Sequence, residues 1–104
     1  MVKVTVLHQH QKIVHMTICG HAGYADKGQD LVCAGVSSIA IGMMNALDQM
    51  EPDTCDLSMK DADVEIQVNK VTEGNQLLLR GMIIQLQTLK ETYKKYVQIN
   101  EQEV

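Results

Sequence analysis

The chain has 104 residues, 45% apolar and 21% charged, with a net charge of −4 and three Tyr as its only aromatic side chains. Residues 1–104 are therefore expected to form a single globular domain, burying roughly 60–70% of the surface of the unfolded chain. The acidic balance and the lack of Phe and Trp argue against phosphate-backbone binding and base-stacking modules, so no direct nucleic-acid partner is expected.

Three cysteines without paired spacing argue against a disulfide scaffold and for a reducing compartment, the cytoplasm. The first residues alternate rather than forming the apolar run of a signal peptide. Residues 31–47 carry no charge, but Ser37, Ser38 and Asn45 interrupt them and the run is short for a membrane span. They are expected to be a buried helix, with no membrane partner.

Val2, Val4 and Val6 alternate with Lys3 and Thr5, which predicts a half-buried strand. His8 to Lys12 reads as a polar turn holding solvated His8 and His10. The return strand runs from Ile13 to Cys19. Val14, Met16 and Ile18 fall on one of its faces, and Ile13, His15, Thr17 and Cys19 on the other. Alternation alone leaves open which face meets the core. Gly20 ends the strand and delivers His21.

Residues 22–29 form a loop punctuated by Gly23 and Gly28. Asp30 has the character of a helix N-cap, which makes Cys33 the third helical residue. Val32, Val36, Ile39, Met43, Leu47 and Met50 continue at helical spacing to a stop at Glu51-Pro52. The small Ala34, Gly35, Ser37 and Ala40 permit close approach of another backbone.

Leu57 to Met59 reads as a short strand and Asp61 as a tight turn. Residues 62–68 alternate cleanly, giving a one-sided strand. Thr72 to Asn75 punctuate, and a long helix is expected from about Gln76 to Val97. Its stripe is Leu79, Met82, Leu86, Leu89, Tyr93 and Tyr96/Val97. The tail from Asn100 to Val104 is polar and expected to fray. The predicted fold is α+β: a two-layer β-β-α-β-β-α unit, with a four-stranded antiparallel sheet and two helices packed on one face.

The chemistry concentrates between Gly20 and Ser37. A cysteine at a helix start meets free N–H groups and the positive end of the helix dipole, which favour a thiolate. His21 could take its proton, making a Cys–His nucleophile pair. The competing readings are plain ones: Cys33 as a small core residue and His21 as a surface histidine. Two roles are open to Asp30, a cap for the first turn or a hydrogen bond that orients His21. Ser37, one turn beyond Cys33, is either a packing residue or a donor to the site. Cys19 and Cys55 read as inert packing residues.

Other chemistries fit less well. The cysteine phosphatase loop needs an arginine where Ile39 stands, and Gly20, Gly23 and Gly28 match no nucleotide-binding pattern. A metal held by Cys19, His21 and Cys33 lacks a fourth ligand and a CxxC-type spacing. Three classes of function remain in contention: an enzyme using a Cys–His nucleophile pair, a non-catalytic binding protein using the same groove, and a small metal-binding regulator.

The compound motif Gly20-His21-Ala22, a glycine-containing loop, then Gly28-x-Asp30-Leu31-Val32-Cys33-Ala34-x-Val36-Ser37, resembles the signature of the ribosomal-processing cysteine proteases of bacteria. Gly35 departs from it, since the family often has Ala there. The resemblance implies one cysteine-protease domain with His21 and Cys33 catalytic and Asp30 and Ser37 supporting. It implies a large-subunit ribosomal protein, the twenty-seventh in the standard naming, as substrate, with its N-terminal extension removed during ribosome assembly. It also implies a homodimer and a mobile loop, here residues 22–29. The mechanism requires no metal or organic cofactor. Backbone N–H groups around Gly20, Ala22 and Ala34 are the oxyanion and loop candidates.

Overall fold

The structure, a computed structural model, describes residues 1–26 and 28–104. The expected loop 22–29 is thus described except at Lys27, which lies outside the described residues. The elements run β1 (Val2–Gln9), β2 (Lys12–Cys19), α1 (Leu31–Met50), β3 (Cys55–Lys60), β4 (Asp63–Val68), α2 (Glu73–Thr92) and β5 (Val97–Glu103). The expected six elements are present, but the sheet has five strands, in the order β3-β4-β2-β1-β5. It is mixed rather than antiparallel, because β5 lies parallel to β1. The tail expected to fray is therefore an edge strand. Val97 is fully buried and Ile99 packs against the core, which anchors β5, while its remaining residues project into water.

The β1–β2 hairpin turns through His10 and Gln11, both at positive φ (52° and 67°), a pair suited to the right-handed twist of flanking strands. The register slips once: Leu7 pairs with His15, but His8 pairs with Ile13, leaving Val14 as the extra residue of a bulge. The bulge corrects the expected face assignment. Ile13, not Val14, joins Met16 and Ile18 in the core. The buried Gln76 side chain of α2 bonds both the N–H and the C=O of Ile13 at 2.8 Å, tying the hairpin to the helix layer.

One face of the sheet carries Val2, Val4, Val6, Met16, Ile18, Val64, Ile66 and Val68 into the core. Against it α1 lays Val32, Val36, Ala40 and Leu47, and α2 lays Leu79, Met82, Ile83 and Leu86. Helix α1 is long and apolar enough to cross a membrane by length and composition, but this stripe seats it in the core. Met50, expected on the stripe, is exposed in the last turn. At Gly35 the helices come so close that an added Cβ would stand 3.2 Å from Leu89.

Helix α2 begins three residues earlier than expected. Thr72 is its N-cap: its hydroxyl accepts the Asn75 N–H, and the Asn75 side chain accepts the Thr72 N–H. The Glu51 carboxylate also accepts the Asn75 N–H at 3.1 Å, so the residue that ends α1 helps to start α2. The helix stops at Thr92, and Tyr93 and Tyr96 belong to the junction with β5.

Strand pairing then gathers one end of the molecule. Ile18 pairs with Val64, and Val64 with Met59, so the exit of β2 lies beside the Asp61-Ala62 turn between β3 and β4. The N-terminus of α1 is brought to the same end.

Candidate active site

The chain leaves β2 through Gly20, which has φ +89° and packs so tightly that an added Cβ would lie 2.4 Å from the Met1 carbonyl oxygen. The Met1 amine donates to the His21 carbonyl, fixing the backbone just beyond. Gly20 therefore serves to turn the chain; it does not line the cavity. Gly20→Ala forces a side chain into left-handed backbone and against a neighbouring strand. It is expected to cost about 1–3 kcal/mol of stability, read as a lowered Tm, and to displace His21.

The next residue supplies the contact that organises the site. The Ala22 N–H donates to the Cys33 Sγ at 3.3 Å, and Ala22 is itself buried. One peptide unit thus couples the segment carrying His21 to the sulfur. His21 and Cys33 line the same cavity, of about 590 Å³, together with Gly23, Ala25, Gly28, Asp30, Asp61 and Ala62. His21 is exposed and Cys33 half-buried, so the sulfur is reachable from solvent through this cavity.

Asp30 resolves its two roles in favour of the cap and adds another. Its Oδ1 accepts the N–H groups of Val32 and Cys33, each at 3.0 Å, which is N-cap geometry. Its Oδ2 accepts the N–H of Tyr24 at 3.0 Å and of Ala25 at 3.4 Å. No bond joins it to the His21 ring. One carboxylate thereby fastens the loop to the first turn of α1. Desolvation raises its pKa, but the N–H groups of Cys33, Tyr24 and Ala25 and the Cys33 side chain outweigh that and hold it below the ordinary 3.8.

A carboxyl whose pKa is lowered on folding stabilises the fold above its unfolded value and loses that contribution as pH falls through its folded value. Wild type is therefore expected to lose Tm below about pH 4 more steeply than Asp30→Asn, whose side chain cannot titrate. Thermal melts between pH 2 and 6 check this, and parallel curves would remove the carboxylate from the account.

Tyr24 supplies a second fastening that sequence reasoning missed. Its ring meets Tyr93 edge-on at 5.3 Å and Tyr96 at 5.2 Å, uniting all three tyrosines of the chain. The available signal was compositional: three tyrosines and no other aromatic residue. Asp61 and Ala62 were also missed as cavity residues, because only the β3–β4 pairing brings them there.

The remaining predicted site residues divide. Ser37 is half-buried, outside the cavity lining, and its hydroxyl has no hydrogen bond among the described residues. Ala34 is exposed, and its N–H bonds the Asp30 carbonyl at 3.0 Å within the helix, so it is not a free oxyanion donor. Of Gly20, Ala22 and Ala34, only Ala22 directs an N–H at the Cys33 Sγ.

Cys19 and His8 differ from expectation, whereas Cys55 packs against the core as expected. Cys19 is exposed rather than packed, at the polar end of β2. Cys55 is half-buried, and burial pushes its thiol pKa up, the charges of Glu51 and Asp56 adding to the effect against a Thr54 hydrogen bond. His8 is held 3.0 Å from Glu101 of β5 rather than solvated. Among the described residues no group of three His, Cys, Asp or Glu side chains is arranged to hold a metal ion.

Comparison with known proteins identifies the family. The family model described as "Cysteine protease Prp" matches residues 1–98. The ribosomal processing cysteine protease Prp of Bacillus subtilis is 32% identical over 108 residues, covering 95% of this chain and 96% of that protein. Its Mycoplasma pneumoniae counterpart is 34% identical, covering 98% and 96%. The crystal structure of an essential ribosomal processing protease Prp from S. aureus, with a covalently linked product peptide, superposes with a TM-score of 0.90 at 28% identity. It covers 97% of this chain and 99% of that one. A second S. aureus structure, with a substrate peptide, superposes at 0.81 with 26% identity and the same coverage. The chain belongs to the cysteine protease Prp family and is a cysteine endopeptidase.

Proposed function

We propose that this endopeptidase removes the N-terminal extension of a large-subunit ribosomal protein, the twenty-seventh in the standard naming, during ribosome assembly. The observation that carries the chemistry is the Ala22 N–H on the Cys33 Sγ, in a cavity that His21 also lines. The relatives' ribosomal-processing names and the peptide-bound S. aureus structures support the substrate class.

In this reading the Cys33 sulfur attacks the scissile carbonyl carbon while His21 takes the thiol proton. The carbonyl π electrons move to oxygen, giving a tetrahedral oxyanion. Asp30 already engages the N–H groups of Val32 and Cys33, and Ala34 is bonded within the helix. Ala22 is then the donor best placed for the oxyanion: its N–H is released as the anionic sulfur becomes a thioether. A donor in that role is worth roughly 10²–10³ in rate. His21 protonates the leaving amine, the C–N bond breaks, and the acyl group remains on sulfur. Water, deprotonated by His21, hydrolyses the thioester and restores the thiol. Release of Tyr24 from Tyr93 and Tyr96 would let the loop rearrange around a peptide.

Two further parts of the reading concern context. Three unpaired cysteines support a cytoplasmic setting. Helices α1 and α2 leave Ile41, Leu77 and Ile84 exposed, and these apolar side chains support the homodimer part of the reading. The protein is to be incubated with the extended ribosomal protein and the mixture read by intact mass. A single cut that releases the extension supports the proposal. Stable binding with no change in mass would instead favour a non-catalytic assembly factor.

A further inference from the structure

We infer that Asp61 is a specificity-determining residue that selects a lysine or arginine side chain beside the scissile bond; the inference rests on the peptide-cleaving reading above. Two carboxylates line the cavity, and they differ in what they already hold. Asp30 receives N–H groups from Tyr24, Ala25, Val32 and Cys33, so both of its oxygens are already engaged. Asp61 is exposed and accepts no hydrogen bond among the described residues. The two ion pairs among those residues, His8–Glu101 and His15–Glu65, lie elsewhere on the sheet.

The position of Asp61 is held by backbone. It sits at φ +56° between paired strands, with Lys60 opposite Asp63 and Met59 opposite Val64. A two-strand ladder thus holds Asp61 at the rim of the cavity that Cys33 also lines. The neighbouring wall is made of small residues: Gly23, Ala25, Gly28 and Ala62. A long side chain can pass them without displacing packed atoms. Lysine and arginine have both the apolar stem for such a passage and the cationic end for the carboxylate. A glutamate reaching the same place would face an uncompensated like charge.

The test uses peptides that span the cut site of the extended ribosomal protein, with Lys, Gln or Glu placed in turn at each of several flanking positions. The readout is the Lys-to-Glu ratio of kcat/KM at each position, which does not depend on the fraction of enzyme that is active. For wild type one position is expected to favour Lys about three- to tenfold, the range of a solvent-accessible charge pair. Asp61→Asn, a residue that also tolerates left-handed backbone, should bring that ratio close to one. Asp61→Lys should invert it. Asp63→Asn, at an exposed position outside the cavity lining, should keep it. Cleavage with no charge preference at any position, or a preference that survives Asp61→Asn, overturns the inference and leaves the proposed function standing. Failure to cleave any peptide or the extended protein overturns both.

Discussion

Cys33→Ala is expected to leave a folded protein whose kcat/KM toward the extended ribosomal protein falls by roughly 10⁴-fold or more, the scale on which removal of a nucleophile acts. The fold should tolerate the change. Cys33 is half-buried, and its side chain makes two polar contacts, with the Ala22 N–H and the Asp30 carboxylate. The Asp30 bonds to the first turn involve backbone N–H groups that alanine retains. Its Tm should therefore stay within a few degrees of wild type, so loss of activity cannot be assigned to unfolding. Residual cleavage within tenfold of wild type would remove Cys33 as nucleophile. Cys19 would then be the next candidate, being exposed, whereas burial disfavours ionisation of Cys55.

His21→Ala is expected to lower kcat by about 10²–10⁴-fold, the usual contribution of a positioned acid–base group, with a smaller effect on KM. The ring is exposed, and the described hydrogen bond at this residue is to its carbonyl, which alanine also offers. Stability and the approach of the Ala22 N–H to sulfur should persist. The variant therefore separates proton transfer from assembly of the site. A loss of less than threefold in single-turnover measurements would show that another group, or water, moves the proton.

The legible parts of this molecule were those in which one local rule decides the outcome. Asp30 followed by a periodic apolar run marks a helix start, and Cys33 at its third position followed directly. The alternation of Val2, Val4 and Val6, and of Val64, Ile66 and Val68, marked strands with one buried face. The features that were not legible depend on partners distant in sequence. Strand β5 shows only Val97 and Ile99 in alternation, and it gains its order by pairing along β1. The helical stripe read through to Val97 because Tyr93 and Tyr96 fall at helical spacing, yet their rings close on Tyr24. The bulge at Val14 reverses the strand's phase, and nothing in the alternation of Ile13 to Cys19 announces it.

The site was legible to the same degree. Cys33, His21 and the capping role of Asp30 follow from local order along the chain. The second half of the Asp30 carboxylate does not, because it depends on the loop folding back to offer the Tyr24 and Ala25 N–H groups. The reading of Ala34 as an oxyanion donor failed for a simple reason: a residue that far into the helix has already given its N–H to the ladder. Asp61 lies 28 positions from Cys33 and reaches the cavity only through the pairing of β3 with β4.

The central claim is that the sulfur beneath the Ala22 N–H is the atom that attacks. A peptide ending at the cut site and carrying a chloromethyl ketone in place of the scissile amide tests it most directly, with peptide mapping of the modified protein. The account predicts one adduct per chain, on Cys33, slowed strongly in His21→Ala and absent in Cys33→Ala. An adduct on Cys19 or Cys55, or undiminished cleavage by protein fully modified at Cys33, would contradict it.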